Sequence, residues 1–151
     1  MNQALRATIA LVSAWICVGL IQPAWAAQKA TQQKAGASMA KVVIQVSDND
    51  PGKWNLALNN AKNVQEDYGK DKVKIEIVAY GPGLGMLKLD SPVASRVSEA
   101  TADGVAIVAC ENTMHKQKLG QADMLPGIGF VKSGVPELMQ RQYEGYAYIR
   151  P

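Results

Sequence analysis

The sequence predicts an α/β protein with a single three-layer domain, in which a five-stranded, mostly parallel sheet carries helices on both faces. Short β-branched runs alternate along the chain with longer stretches of helical apolar spacing. This alternation is typical of a parallel sheet with right-handed crossovers. The pattern occupies residues 41 to 151, a length that suits one domain with its own core.

The first strand and the first helix open this domain. The run KVVIQVS begins at Lys41 and is rich in β-branched residues, which is typical of a strand covered on both faces. A turn-forming stretch, DNDPGKW, follows it. Apolar side chains then recur at helical spacing at Trp54, Leu58 and Ala61, and Gly69 is placed to end the helix.

The second and third strands differ in polarity. In KVKIEIVAYGPG, charged and apolar side chains alternate at the start of the run, which indicates either a solvated strand end or an edge position. The run DGVAIVAC is the most apolar of the chain and is therefore predicted to lie centrally. Between the two, Ser91 and Pro92 predict the start of a helix with an apolar stripe that includes Val97.

The remaining elements complete the alternation. The segment ENTMHKQKL predicts a helix, GIGFVKSG a fourth strand, and VPELMQRQYEG a helix that ends at Gly145. The chain closes with YAYIRP, a short strand that Pro151 ends. Five strands and four helices in this order predict an open α/β sheet of flavodoxin-like size.

The first 26 residues predict a secretory signal peptide. Arg6 supplies a positive charge, residues 7 to 21 form a short apolar run, and residues 24 to 26 read Ala-Trp-Ala, which fits a cleavage site. We therefore expect a periplasmic or otherwise exported protein that is soluble after cleavage; an uncleaved anchor is the alternative. Residues 27 to 40 lack an apolar period and predict a disordered leader before the domain.

Charge and cysteine count narrow the classes of function. The chain carries a formal charge of +3, with its lysines and arginines scattered among acidic residues, so we expect no nucleic-acid partner. Removal of residues 1 to 26 also removes Cys17 and leaves Cys110 as the only cysteine. A dithiol oxidoreductase is thereby excluded, and Cys110 must be buried, paired between chains or reactive.

Candidate functional segments follow the strands, because ligand sites of open α/β sheets lie beyond the carboxyl ends of the strands. The segment GPGLG holds Gly81, Gly83 and Gly85 after the second strand. It lacks the spacing of a phosphate-binding loop, and it predicts a flexible loop beside the site.

A metal site or a cofactor is not expected. Asp48 and Asp50 favour turn and helix-capping roles over metal ligation, since no histidine or third acid lies near them in sequence. His115 is the only histidine of the chain, and we expect it at the surface.

Cys110 ends the third strand and precedes a helix. Free backbone N–H groups at the start of a helix stabilise a thiolate, which favours a reactive thiol. Glu111 opposes this effect, and a small apolar residue that finishes the strand is the alternative. Asn112 and Thr113 can orient the sulfur, or they can cap the first turn of the helix.

The last strand predicts assembly of the protein with itself. It is an expected edge strand, and Tyr143, Tyr146 and Tyr148 place aromatic side chains near it. Aromatic residues are enriched in interfaces between proteins, and an exposed edge strand needs cover. We therefore expect a homo-oligomer.

The sequence resembles the DsrE/DsrF-like family over residues 41 to 151. The resemblance is carried by KVVIQVSDNDPGKWNLALNNAKNV, IVAYGPGLGML, DGVAIVACENTM and SGVPELMQRQYEGYAYIRP. It implies a DsrE-like domain of flavodoxin-like fold, oligomeric assembly, and a cysteine that passes sulfur as a persulfide. Cys110 matches that acceptor cysteine, which stands after a central strand at the head of a helix. This chain differs from the better-studied relatives in its export and in the residues that follow the cysteine.

Two hypotheses of function follow. In the first, the protein is a sulfur carrier or sulfurtransferase that holds a persulfide on Cys110, supported by Asn112 and Thr113, and works with a sulfur donor and an acceptor that the sequence does not name. In the second, the protein is a non-catalytic, homo-oligomeric binding module. Cys110 then merely packs, and the loop of residues 81 to 85 helps to shape a ligand cleft.

Overall fold

All five strands of the sheet run parallel. A computed structural model describes residues 39–151 of the chain. The strands are β1 (Ala40–Val46), β2 (Val73–Ala79), β3 (Ala106–Cys110), β4 (Gly129–Val131) and β5 (Ala147–Ile149). Their order across the sheet is β4-β3-β2-β1-β5, with parallel pairing throughout. The predicted α/β class and the five-stranded sheet are confirmed.

Helices connect the strands in the predicted alternation. The α-helices are α1 (Pro51–Tyr68), α2 (Ala94–Ala102), α3 (Glu111–Lys116) and α4 (Gly134–Tyr143). Short 3₁₀ helices span Lys70–Lys72, Gly81–Leu87 and Gln121–Asp123. Among residues 39–151, the helices lack the length and apolarity that a membrane span requires.

The predicted signal peptide, residues 1 to 26, lies outside the described residues, as does most of the leader predicted for residues 27 to 40. Strand β1 begins at Ala40, one residue before the predicted start of the domain.

The order of the strands corrects two expectations. Strand β2 lies in the centre of the sheet, between β1 and β3, so an edge position for it is wrong. The alternative, a solvated strand end, is correct because Lys72 and Lys74 are exposed whereas Glu76 is buried. Strand β3 is an interior strand but lies second from the edge, because the chain moves outward from β1 to β4 before β5 returns to the other side of β1.

Helices α1 and α2 cover the first face of the sheet. Ile44, Ile77 and Ile107 point into this core from three neighbouring strands, and Trp54 of α1 and Val97 of α2 pack against them. Helix α1 begins at Pro51, three residues before the predicted start at Trp54, because the Asp50 carboxylate accepts a hydrogen bond of 2.8 Å from the N–H of Gly52 and caps the helix there.

The predicted bounds of two helices need correction. Helix α2 begins at Ala94 with Val93 as its capping residue, because the hydroxyl of Ser91 accepts a bond of 3.4 Å from the N–H of Val93 in a turn before the helix. Helix α3 ends at Lys116, since Lys118 has a positive φ of 57° that ends the helical path.

Helix α4 packs on the second face over a much smaller apolar cluster. Leu138 of α4 contacts Val43 of β1 and Val78 of β2, and Val108 and Tyr146 join them partly buried. The helices therefore lie on both faces, as predicted, but the apolar contact between α4 and the sheet is small.

Candidate functional site

The carboxyl ends of four strands meet at one edge of the sheet. The register pairs Val46 of β1 with Ala79 of β2, and it places Cys110 of β3 beside Val131 of β4. The segments that follow these strands therefore converge, and Cys110 lies among them.

Cys110 is the last residue of β3 and the capping residue of α3. It is a free cysteine, and only 4% of its surface is exposed. Val108 and Cys110 alternate with Ala109, whose side chain belongs to the core of the first face. The thiol therefore lies on the second face of the sheet, the face that α4 covers.

Hydrogen-bond donors from two helices reach the sulfur. The N–H of Gly134, the first residue of α4, donates to the Sγ atom of Cys110 at 3.3 Å. The hydroxyl and the N–H of Thr113 lie close enough to favour a thiolate, although the Cys110 side chain accepts no capping hydrogen bond from α3. The N–H of Asn112 lies close enough to favour a thiolate, although its aligned hydrogen bond of 3.2 Å runs to the carbonyl of Lys132.

Two opposing influences set the pKa of Cys110. Burial raises the pKa and is the largest single influence, whereas hydrogen bonds from Thr113, Gly134 and Asn112 together lower it more. The net result is a thiol pKa below its ordinary value. A larger share of the sulfur is then ionised near neutral pH, and the thiolate is the nucleophilic form of cysteine.

The glycine-rich segment is linked to the thiol through Thr113. The N–H of Gly81 donates a hydrogen bond of 3.0 Å to the Oγ1 atom of Thr113, and the side chain of Gln117 donates one of 3.3 Å to the carbonyl of Gly81. Because Thr113 Oγ1 accepts from Gly81, its own proton remains available for donation to the nearby Cys110. The structure thus brings Gly81, Thr113 and Cys110 together.

The rest of this segment is a regular helix where the sequence predicted a loop. It forms the 3₁₀ helix Gly81–Leu87, in which Leu84, Met86 and Leu87 are buried. A Cβ atom on Gly83 would lie 2.4 Å from the carbonyl oxygen of Val46, so only glycine fits there. Gly83 and Gly85 therefore serve close packing rather than a cleft.

Gly134 is the site residue that the sequence did not single out. A Cβ atom on Gly134 would lie 2.8 Å from the Cβ atom of Tyr80, which directly follows β2. This close approach lets the first N–H of α4 reach Cys110 at 3.3 Å. Gly134 follows the end of β4 by three residues, but the sequence could not show that it would meet a cysteine 24 residues away.

The other predicted residues lie nearby but play smaller parts. Asn112 is exposed and contributes its backbone rather than its side chain. His115 is exposed, as expected. Within residues 39–151, His, Cys, Asp and Glu side chains form no group of three or more that could hold a metal ion.

The family model of the DsrE/DsrF-like family matches residues 40–151. The chain belongs to this family. The match covers all five strands and Cys110, which confirms the resemblance read from the sequence. The DsrE/DsrF-like family is associated in general with sulfur relay.

Solved structures share the DsrE-like fold. MTH1491, a protein of unknown function from Methanobacterium thermoautotrophicum, is 38% identical, has a TM-score of 0.71, and matches over 74% of this chain and 99% of its own. BT1422 from Bacteroides thetaiotaomicron, also of unknown function, is 18% identical with a TM-score of 0.61, over 78% of this chain and 99% of its own. The ychN protein from E. coli is 16% identical with a TM-score of 0.59, over 75% and 100%. No curated protein matches the chain.

Proposed function

We propose that this DsrE-like protein is an exported sulfur carrier that holds sulfur as a persulfide on Cys110. The observation that carries the proposal is the convergence of hydrogen-bond donors from α3 and α4 on one buried sulfur, with the N–H of Gly134 at 3.3 Å. Such donors stabilise a negative charge on sulfur, both before and after it accepts a second sulfur atom.

The loading step needs no oxidant. The Cys110 thiolate attacks the outer sulfur of thiosulfate, a new S–S bond forms to Sγ, and the S–S bond within thiosulfate breaks. Sulfite leaves with the electron pair of the broken bond, and the negative charge moves to the outer sulfur of the persulfide. In the transfer step, the thiolate of an acceptor attacks that outer sulfur, and Cys110 leaves as a thiolate. A polysulfide donor reacts in the same way, with a shorter polysulfide as the leaving group.

Mass spectrometry tests this proposal on the chain that starts at Ala27. The protein is incubated with thiosulfate or polysulfide, excess donor is removed, and the peptide that contains Cys110 is weighed. We expect one added sulfur atom, which dithiothreitol removes and which the Cys110→Ser variant lacks.

The binding-module hypothesis is the alternative, and the burial of Cys110 is compatible with it. A thiol that is only 4% exposed suits a packing residue as well as a gated nucleophile. If Cys110 in the folded protein resists the sulfur donors and also resists a small alkylating reagent, the carrier function is wrong and the binding module stands.

Export is part of the proposal. It is supported by the charged, apolar and Ala-Trp-Ala segments within residues 1 to 26. Mass spectrometry of the exported protein should show a chain that starts near Ala27. A chain that keeps residues 1 to 26 and sediments with membranes would show that the segment is an anchor.

Self-assembly is also proposed. Val135, Met139 and Tyr143 follow one another at intervals of four residues along α4, and all three are exposed, Tyr143 by 80%. Tyr148 of β5 adds a further exposed aromatic side chain. An apolar stripe of this kind beside an edge strand suits an interface with a second copy of the chain.

A further inference from the structure

A buried carboxyl group lies beneath α4, away from the thiol. Glu76 of β2 is only 4% exposed on the second face of the sheet. Its Oε2 atom lies 2.7 Å from the Nε atom of Arg141 in α4. The contact is a close ion pair without an aligned hydrogen bond at Nε, and Glu76 Oε1 has no hydrogen-bond partner among the described residues.

Several charged and titratable groups surround Glu76. The Arg141 guanidinium also contacts Glu137 and Glu144, each at 2.9 Å. The neighbouring elements contribute the titratable side chains of Lys41 in β1, Lys74 in β2, Tyr146 before β5 and Tyr148 in β5. Strand β3 places the uncharged Ala106 beside Glu76. Burial and the Glu137 carboxylate therefore oppose the charge of Glu76, and Arg141 favours it.

The balance of these effects raises the pKa of Glu76 to about 7, with burial as the largest cause. Lifting α4 from the sheet would return Glu76 to water, and its pKa would fall toward the ordinary value of 4.5. Protonation of Glu76 therefore favours the seated helix, and ionisation favours the lifted one. The change of charge occurs in the neutral range of pH.

The opposite end of the same helix covers the thiol. Gly134 begins α4 and donates its N–H to Cys110, and Arg141 lies seven residues, about two helical turns, further along. Between these two contacts, Leu138 supplies the buried apolar side chain of α4. Because the apolar contact between α4 and the sheet is small, a change of charge beneath the helix has a large effect on how firmly α4 is attached.

We propose that α4 is a gate over Cys110, and that the charge on Glu76 controls how firmly this gate is closed. The inference rests on the proposed role of Cys110 as a sulfur carrier, and it adds the regulation of access to that site. With Glu76 protonated, α4 stays seated and Cys110 is shielded. With Glu76 ionised, α4 lifts more often, and the sulfur meets donors and acceptors.

The test compares rates of Cys110 alkylation between pH 5.5 and 8.5 in the wild-type protein and in Glu76→Gln, which keeps the shape of the side chain but cannot ionise. Thiol ionisation raises both rates, so the ratio of wild-type to variant rate isolates the gate. Since Glu76 ionises near pH 4.5 when α4 is lifted and near pH 7 when it is seated, we expect the ratio to rise by up to about tenfold per pH unit between pH 5.5 and 7 and to level off above pH 7. The matched control, Glu144→Gln, removes an exposed carboxylate from the same guanidinium and should follow the wild-type profile.

Two outcomes would overturn the gate. One is a ratio of wild-type to Glu76→Gln rates that stays constant at every pH. The other is a Glu144→Gln variant whose rates follow those of Glu76→Gln instead of those of the wild-type protein. Hydrogen exchange in the wild-type protein provides a measurement that needs no variant: opening of α4 relative to α1 should increase as the pH rises from 5.5 to about 7 and then level off. Because alkylation uses no sulfur donor, a rising ratio in a protein that never loads sulfur would keep the gate and reject the carrier. A protein that loads sulfur but shows a constant ratio would keep the carrier and reject the gate.

Discussion

At the scale of the residue, the chemistry of Cys110 depends on which of two influences is stronger. Burial alone would keep the thiol protonated, because a charge without hydrogen bonds is costly in an apolar surrounding. The donors from Thr113 and Gly134 reverse that effect and lower the thiol pKa. Removing either donor should therefore raise the thiol pKa and leave a buried, less reactive cysteine.

Replacement of Thr113 by valine removes the hydroxyl and keeps the shape of the side chain. The thiol pKa should rise because the sulfur loses a donor, and the N–H of Gly81 loses its acceptor at 3.0 Å. We expect alkylation of Cys110 at pH 7 to slow about tenfold, the effect of losing about 1.5 kcal/mol from a hydrogen bond to a charged group. Thr113→Ser keeps the hydroxyl and should retain most of the rate; equal loss in both variants would contradict the role of the hydroxyl.

Replacement of Gly134 by alanine should displace the amino end of α4. The added Cβ atom would lie 2.8 Å from Tyr80 Cβ, so the helix must shift away from both Tyr80 and Cys110. We expect a loss of about 1–3 kcal/mol in the free energy of unfolding, as overpacking typically causes, together with a higher thiol pKa. Gly120→Ala is the matched control, because its Cβ atom would meet nothing closer than 3.7 Å. A Gly134→Ala protein with unchanged stability and thiol titration would contradict this account.

At the scale of the element, α4 joins two distant groups on the second face of the sheet. Its amino end touches Cys110, its middle packs Leu138 on β1 and β2, and Arg141 near its carboxyl end meets Glu76. The first face has a broad apolar core, whereas the second face contains the buried carboxyl group of Glu76. Ionisation of this group destabilises the fold. The stability of the domain should therefore respond to pH through Glu76.

The sign of this response follows from the raised pKa. A group with a pKa of about 7 in the folded protein and 4.5 as its ordinary value contributes stability that is fully present below pH 4.5 and is lost as pH rises through 7. Relative to Glu76→Gln, the wild-type free energy of unfolding should fall by up to about 1.4 kcal/mol per pH unit in that window and level off above it. Urea unfolding of both proteins at pH 4.5, 6 and 8 measures the difference; a difference that is independent of pH would contradict the buried carboxyl.

At the scale of the whole molecule, the strands and helices could be predicted because β-branched runs and helical spacing are local signals. The position of Cys110 at the end of β3 and the start of a helix was also a local signal, and the structure has the residue there. The approach of Gly134 to Cys110 and of Arg141 to Glu76 could not be predicted, because 24 and 65 residues separate the partners and the order of strands decides whether they meet. The glycines of the 3₁₀ helix suggested a flexible loop, whereas Gly83 is required by close packing on Val46 and Gly85 lies close to Trp54.

Assembly is the prediction that belongs to the whole molecule. We expect light scattering at micromolar concentration to show an oligomer, and Met139→Lys to dissociate it by placing a charge in the exposed stripe of α4. Leu56→Lys is the matched control, because Leu56 is similarly exposed on α1 on the other face of the sheet and should leave assembly unchanged. A wild-type monomer, or equal effects of both substitutions, would contradict an interface on α4.

The most direct test of the central claim counts the sulfur that Cys110 carries. The protein is loaded with thiosulfate labelled in its outer sulfur, separated from free donor, and treated with cyanide, which removes the outer sulfur of a persulfide as thiocyanate. The account predicts close to one labelled sulfur per chain, lost in Cys110→Ser and reduced in Thr113→Val. No label on the wild-type protein, or equal label on Cys110→Ser, would contradict it.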